Sequence, residues 1–241
     1  KVIRTVGRVA VDERKLAKVT IKFHGWIEQL FVSATGDHVQ KGQVLFTVYS
    51  PDLVASQEEY LLAVRSQQQL GSSEFPEVAQ GSKDLLEATK RRFQLWDITD
   101  DHIRELEKTG KVLKTLPIHS PITGTVIKKD ALAGAHVDAG VELYTIADLS
   151  HIWILADIYE YELSFVKAGQ KAAVTLSYDP GTVLTGHLSF IYPTLDPKTR
   201  TAKVRFELDN RDETLKPDMY ANVELRVSLG TRLAIPQEAV I

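Results

Sequence analysis

The chain has 241 residues, of which 44% are hydrophobic and 25% are charged, and its formal net charge is −3. This balance is ordinary for a globular protein and gives no electrostatic reason to expect a nucleic acid as partner. The absence of cysteine excludes disulfide bonds, thiolate metal sites and cysteine nucleophiles. No apolar run approaches the ~18 residues that a membrane-spanning helix needs. The first and last residues of the chain both have strand-forming patterns that are cut off at the chain ends. We therefore expect the chain to be part of a longer protein.

A short pattern in the first fifth of the chain returns after its midpoint. GDHVQKGQVLFTV at 36–48 matches GAHVDAGVELYTI at 134–146 in its glycines, its His-Val pair and its closing Leu-aromatic-Thr-aliphatic run. Each copy is too short to bury a core alone, so we expect the two copies to pair in one β-sandwich. The glycines suit turns that need positive φ or close backbone approach. The predicted turn glycines are Gly36, Gly42, Gly134 and Gly140.

Between the two copies the sequence changes from strand-forming to helix-forming residues. Ser50 is a good N-cap, and the amphipathic segment after it predicts a first helix. After a break at 71–81 with glycine at each end, a second helix is predicted to open at Ser82. A third helix is predicted after the cap residue Thr99, and Gly110 is its natural stop. The intervening segment is therefore predicted to be a short helical arm.

Strand patterns resume at Leu116 and dominate the rest of the chain. TAKVRFELDN and MYANVELRV alternate apolar and polar residues with period two, as half-buried antiparallel strands do. A short helix is predicted at 160–169, where EYELSFVKAG ends in glycine. Several short strands separated by turn signals predict a small antiparallel β-barrel.

These features together resemble a known family. The paired half-motifs look like the two halves of a biotinyl/lipoyl-type domain split by a helical hairpin, as in the periplasmic adaptor subunits, or membrane fusion proteins, of tripartite efflux pumps. The segment at 195–225 resembles the adaptor barrel signature, in which a D-x-x-T-R-T turn precedes a strand and a K-P-G-M segment follows. Asp218 stands where that family usually has glycine. The matching residues are Asp196, Thr199, Arg200, Thr201, Lys216, Pro217 and Met219.

The resemblance implies a mainly β fold with an α-helical arm, and it is greatest to heavy-metal efflux adaptors of the copper/silver type. It also implies attachment to the inner membrane on its periplasmic side, a homo-oligomer in the form of a hexameric ring, no cofactor, and two protein partners. These partners are a resistance-nodulation-division (RND) transporter and an outer-membrane channel. Asp196, Thr199 and Arg200 are expected to shape the barrel turn. The implied domains are a partial membrane-proximal module (1–18 with 231–241), a lipoyl-like sandwich (19–49 with 116–148), an arm (50–115) and a β-barrel (149–230).

The alternatives to a heavy-metal efflux adaptor are an enzyme, a biotin or lipoate carrier, and an adaptor of another exporter. No nucleophile elbow, P-loop, dinucleotide fingerprint or zinc-protease motif is present in the sequence, which favours a non-enzyme. A biotin or lipoate carrier needs an exposed lysine on the turn that joins the two halves, and residues 50–115 replace that turn. An adaptor of a multidrug or ABC-type exporter is the third alternative, which the short arm disfavours.

Metal ligands and partner contacts are harder to assign from the sequence. Seven histidines are present, and His38 and His136 occupy equivalent repeat positions, where local packing is the favoured interpretation. The one methionine, Met219, falls on the apolar face of its strand, so we expect it in the core. A metal ion is a candidate transient ligand, but the sequence does not indicate which residues would bind it. Candidate partner contacts on the arm are Arg65, Arg91 and Arg92.

Overall fold

The computed structural model describes residues 1–176 and 179–228, apart from the side chain of residue 180. The chain divides into a barrel unit, which combines Lys1–Leu16 with the described residues from Asp148 onward, and a sandwich unit, Ala17–Ala147. The helices are α1 Pro51–Leu70, α2 Pro76–Leu95 and α3 Asp100–Thr109. The strands are β1 Val2–Val11, β2 Leu16–Thr20, β3 Gly25–Leu30, β4 His38–Val39, β5 Val44–Tyr49, β6 Thr115–His119, β7 Gly124–Lys129, β8 His136–Val137, β9 Glu142–Ala147, β10 His151–Tyr159, β11 Lys171–Leu176, β12 Asp179–Asp196, β13 Thr201–Asp209 and β14 Tyr220–Arg226.

The sandwich is built from both copies of the repeated pattern. Its two four-stranded sheets have the orders β2-β9-β7-β4 and β6-β5-β3-β8, so each sheet contains strands from before and after the helical arm. The Leu-aromatic pair of each copy is buried, and the rings of Phe46 and Tyr144 stack with centroids 5.6 Å apart. The repeat therefore places one large aromatic side chain from each half at the centre of a shared core.

The repeat glycines donate backbone hydrogen bonds from one half of the sandwich to the other. The N–H of Gly36 donates to the carbonyl of Val126 at 2.8 Å, and that of Gly134 donates to the carbonyl of Ile27 at 2.7 Å. The second glycine of each copy does the same. Its bonds, both of 2.8 Å, run from Gly42 to Ser120 and from Gly140 to Ile21. The two halves interlock reciprocally, which explains why the pattern occurs twice.

The three helices lie between β5 and β6. Ser50 caps α1 by accepting a hydrogen bond from the N–H of Leu53 at 3.3 Å, and Pro51 occupies its first turn. The predicted start of the second helix at Ser82 is wrong, because α2 begins at Pro76 and passes through Gly81. The predicted cap and stop of α3 are confirmed. The hydroxyl of Thr99 accepts a hydrogen bond from the N–H of His102, and the C-cap residue Gly110 has a left-handed backbone conformation.

The barrel unit is a closed barrel with the strand order β1-β10-β13-β12-β11-β14. Along β11, β13 and β14, buried residues alternate with more exposed ones, as the period-two patterns predict for β13 and β14. Between β10 and β11 the predicted helix at 160–169 is a shorter 3-10 helix, Glu160–Phe165. Gly169 follows it with a φ of +87°.

The assignment of residues 1–18 to a membrane-proximal module is corrected by the barrel. Strand β1 pairs with both β10 and β14, and its Ile3 and Val9 side chains are buried in the barrel core. Without β1, the edges of β10 and β14 would be unpaired. The start of the chain therefore supplies the strand that closes the barrel. The other half of that predicted module, 231–241, lies outside the described residues.

Candidate partner-binding surfaces and metal ligands

The helical arm is a hairpin in which α1 packs along α2 through aromatic and polar contacts. The rings of Tyr60 and Phe93 have centroids 5.2 Å apart, and both side chains are buried. Farther from the sandwich, the hydroxyl of Ser82 donates to Oε1 of Gln67 at 2.7 Å. These contacts at two levels hold the helices side by side.

Helix α1 also anchors the segments that return to the sandwich. The buried amide of Gln57 donates to the carbonyl of Leu113 and accepts from its N–H, both at 2.9 Å. Tyr60 donates its hydroxyl to Oε1 of Glu107 in α3. Burial, and then the Glu107 carboxylate, raise the pKa of Tyr60, so the phenol remains a donor at neutral pH. The third helix is thus held against the base of the hairpin.

Apolar side chains are exposed around the turn that joins α1 to α2. Leu70, Phe75 and Val78, which we call the tip residues, are 42%, 71% and 41% exposed. The turn itself is short, because Pro76 already belongs to α2. A contiguous exposed apolar patch is typical of a protein contact site, and the tip residues are the candidates for such a patch on the arm.

The three arginines predicted as partner contacts differ in their surroundings. Nη1 of Arg92 lies 2.6 Å from Oε2 of Glu59 and 3.2 Å from Oγ of Ser56, so its guanidinium joins α2 to α1. Arg65 and Arg91 are exposed, and neither forms an ion pair with another described residue. The role of Arg65, Arg91 and Arg92 as partner contacts stays a prediction.

The turn between β12 and β13 is organised by Asp196. Its Oδ1 accepts from the N–H groups of Lys198 at 2.8 Å and Thr199 at 3.1 Å. These backbone hydrogen bonds lower the pKa of Asp196, and the bond from Thr199 has the larger effect. Arg200 has a φ of 56°, and its N–H donates to the Asp196 carbonyl at 2.9 Å. The D-x-x-T-R-T residues form a compact hairpin turn.

A tryptophan on the barrel wall has two arginines close to its ring, which the sequence did not indicate. Trp153 in β10 is buried, and the guanidinium carbons of Arg205 and Arg14 lie 4.2 and 5.4 Å from its ring centroid. Asp12 holds Arg14 through hydrogen bonds of 2.9 and 2.8 Å. Such cation–π contacts stabilise a buried aromatic ring. Sequence alternation gives the face of Trp153 but not its neighbours from other segments.

The two histidines at equivalent positions of the repeat lie in different sheets of the sandwich. His38 pairs in β4 with β7, whereas His136 pairs in β8 with β3, so the two equivalent residues belong to different sheets. The structure brings His136 close to His24, with ring centroids 6.1 Å apart. Within residues 1–176 and 179–228, no group of three or more His, Asp or Glu side chains is arranged to hold a metal ion.

Both units match domain families of one group of proteins. Residues 16–147 match the CusB barrel-sandwich hybrid domain, and residues 151–228 match the CusB-like beta-barrel domain. The chain belongs to the CusB-like family of membrane fusion proteins. This confirms the predicted resemblance to adaptors of the copper/silver type, and with it the mainly β fold with a helical arm.

The similarity to CusB-like proteins and other exporters extends along nearly the whole chain. The cation efflux system protein CusB of Escherichia coli strain K12 is 30% identical over 235 residues, which cover 98% of this chain and 54% of CusB. The macrolide export protein MacA of Yersinia pestis is 26% identical over 262 residues, covering 95% of this chain and 70% of MacA. The crystal structure of ZneB from Cupriavidus metallidurans has a TM-score of 0.61 at 29% identity, covering 93% of this chain and 97% of that one.

The CusB-like chain described here spans about half the length of CusB itself. Among the described residues, no helix combines the length and apolar character needed to cross a membrane.

Proposed function

We propose that the chain belongs to a non-catalytic periplasmic adaptor that links an inner-membrane RND transporter to an outer-membrane channel for the efflux of heavy-metal cations. The observation that carries this proposal is the helical arm of a CusB-like chain. The arm is a braced hairpin inserted between β5 and β6, and α1 alone has 20 residues, or about 30 Å of reach. The similarity to a cation efflux protein supports the class of cargo.

In this proposal the sandwich and the barrel act as a scaffold, and the arm provides contacts. The tip residues meet the outer-membrane channel, and Arg65 and Arg91 extend that contact along the arm. The protein is attached to the inner membrane, functions in the periplasm and assembles as a hexameric ring. It has no cofactor, and a metal ion meets it only in transit. The turn residues Gly36, Gly42, Gly134, Gly140, Asp196, Thr199 and Arg200 keep the scaffold in shape.

An adaptor for a macrolide or another drug exporter is the second candidate. The similarity to MacA over 95% of the chain favours it. The two candidates share the scaffold and the arm and differ only in the transporter and the cargo. The two candidates can be separated by expressing the full-length protein in cells that lack their own adaptor. Metal resistance of these cells supports the first candidate, and macrolide resistance alone supports the second.

The tip contact is tested by Phe75→Ser in the full-length protein. We expect this variant to reduce co-purification with the outer-membrane channel by about tenfold, because an exposed aromatic anchor carries a large share of the energy at contact sites. Glu74→Ser, which alters the neighbouring exposed residue, is the matched control and should retain the complex. Equal recovery of the channel with both variants would show that the tip does not make the contact.

A further inference from the structure

A groove of about 770 Å³ lies on the outer face of the barrel unit, where two strand pairings are irregular. Strand β1 pairs with β10 from Gly7 to Val11, but not over the preceding residues of β1. On the other side of the groove, the pairing of β12 with β13 shifts between Ile191 and Leu195, so that the intervening residues of β12 bulge from the sheet. Bulges redirect side chains and are frequent beside active sites. The two irregularities produce a concave surface on the barrel wall.

Hydroxyl groups dominate the lining of this groove. Six of its eleven lining residues are threonine or tyrosine, and three of the six hydroxyls bond to other groups of the barrel. The other three, those of Tyr159, Tyr192 and Thr194, have no hydrogen-bond partner among the described residues. A hydroxyl can both donate and accept, whereas threonine is under-represented among the residues that carry the energy of protein–protein contacts. The lining therefore favours a ligand that is itself rich in hydroxyl groups.

Both tyrosine rings of the groove are held by a neighbouring ring. Tyr159, which is 51% exposed, stacks on Tyr161 with centroids 5.5 Å apart and an interplanar angle of 13°. Tyr192 contacts Phe190 edge-on, with centroids 5.2 Å apart. Rings fixed in this way lose little conformational freedom when a ligand packs against them. The apolar face of a tyrosine suits the C–H groups of a pyranose ring, and its hydroxyl supplies a hydrogen bond at the edge.

The charged residues of the groove balance one another. Arg4 and Lys203 are matched by Asp157 and Asp196, so the lining has no net formal charge. Asp157 and Lys203 lie opposite each other in β10 and β13, and neither forms an ion pair with another described residue. A carboxylate accepts hydrogen bonds and an ammonium group donates them, so both can bind the hydroxyls of a ligand. A nucleic acid or an anionic lipid surface would instead need an excess of positive charge.

We propose that this groove binds a glycan, a chain of uncharged pyranose rings, and that the source of the glycan is the cell wall. The volume of the groove lies within the range of small-molecule sites, and its open form admits an internal stretch of a polymer. The sugars of lipopolysaccharide carry phosphate groups, which a lining without net charge disfavours. The inference rests on the proposed function only for the periplasmic location, where the contact anchors the adaptor in the layer that it crosses.

The test is co-sedimentation of the full-length protein with purified cell-wall sacculi, with chitohexaose as a soluble, uncharged competitor. We expect Tyr159→Ala and Tyr192→Ala each to weaken binding about tenfold, because each removes a ring from the groove. Asp157→Ala, which removes an exposed carboxylate, should weaken it about fivefold and serves as the second variant if Tyr192→Ala does not fold. Tyr220→Ala is the matched control, since Tyr220 is 63% exposed on β14 and does not line the groove. Thermal unfolding checks that every variant is folded.

Several outcomes would overturn the proposal. They are the absence of binding to sacculi, equal binding by Tyr159→Ala and Tyr220→Ala, and a failure of chitohexaose to compete, which would assign the binding to a part of the cell wall other than its sugar rings. Tighter binding of lipopolysaccharide than of sacculi would overturn the cell-wall source. Co-purification with the outer-membrane channel tests the adaptor function separately, and the groove variants should retain it, so the two proposals can fail independently.

Discussion

The four glycines of the repeated pattern have φ values between 79° and 98°. A side chain at such a position is strained even where it has room, and these glycines have open space around the place where a Cβ would lie. Asp218 also has a positive φ, 73°. It stands at the position where the barrel signature of the family usually has glycine. Backbone conformation therefore explains both the recurrence of glycine and the one departure from the barrel signature.

Gly36→Ala should lower the free energy of unfolding by ~1–2 kcal/mol, because alanine is disfavoured at positive φ. Gly81→Ala is the matched control. Gly81 also has open space but lies inside α2 without a positive φ, so alanine should stabilise the helix by ~0.5–1 kcal/mol. Urea unfolding of both variants measures the difference, and equal effects would show that φ is not the cause.

At the scale of elements, the side-chain caps before α1 and α3 and the glycine after α3 marked helix ends correctly, whereas Gly81 did not mark a helix boundary. The caps at Ser50 and Thr99 begin α1 and α3 as predicted. The predicted break at 71–81 ended too late, because its second glycine lies within α2 and Pro76 occupies the first turn of that helix. A glycine weakens a helix by less than tertiary packing can offset, and α2 packs against α1 near Gly81 through the hydrogen bond between Ser82 and Gln67.

The connections that join β1 to β2 and β9 to β10 are held together by Asp148. Oδ2 of this residue lies 3.0 Å from Nζ of Lys15, and Oδ1 accepts from the N–H of Ser150 at 2.9 Å. Burial alone would raise the pKa of Asp148, but the bonds from Ser150 and Lys15 outweigh it and lower the pKa to about 2. The carboxylate is therefore stabilised by the folded chain.

Asp148→Asn should lower the free energy of unfolding at pH 7 by about 1 kcal/mol or less, because the ion pair is partly exposed to solvent. A lowered folded-state pKa adds stability that is present above the usual value of 3.8 and is lost as the pH falls through about 2. The difference from wild type should therefore disappear on acidification between these values. Denaturant unfolding at several pH values measures it. Asp212→Asn, at an exposed position, is the control, and a difference that does not change with pH would contradict the assignment.

At the scale of the whole molecule, the arm is an insertion into a complete sandwich. Tyr49 at the end of β5 lies opposite Thr115 at the start of β6, so the strands flanking the arm are already antiparallel neighbours. In a biotinyl or lipoyl carrier the modified lysine would occupy a turn at this place. The arm occupies it here, and it also contributes Leu53, Ile103 and Leu106 to the core of the sandwich unit.

Replacement of residues 50–114 by an Asn-Gly turn should leave a folded sandwich, since a two-residue turn fits adjacent antiparallel strands. The shortened chain should be less stable, because the arm covers part of the core, including Leu116. A companion variant with Leu116→Thr reduces the newly exposed apolar surface. Dispersed NMR spectra and cooperative unfolding of either chain are the expected result, and an unfolded chain in both cases would show that the arm is required for folding.

Local patterns in the sequence determined the repeat, two of the three helix starts, the alternating strands and their family. They depend on conformational preferences that operate within a few residues. Only the tertiary structure decided that β1 closes the barrel, that Arg14 and Arg205 lie close to the ring of Trp153, and that the ring of His24 comes near that of His136. Each of these contacts joins residues far apart in the chain, and its formation depends on strand register and shared burial, which no local preference encodes.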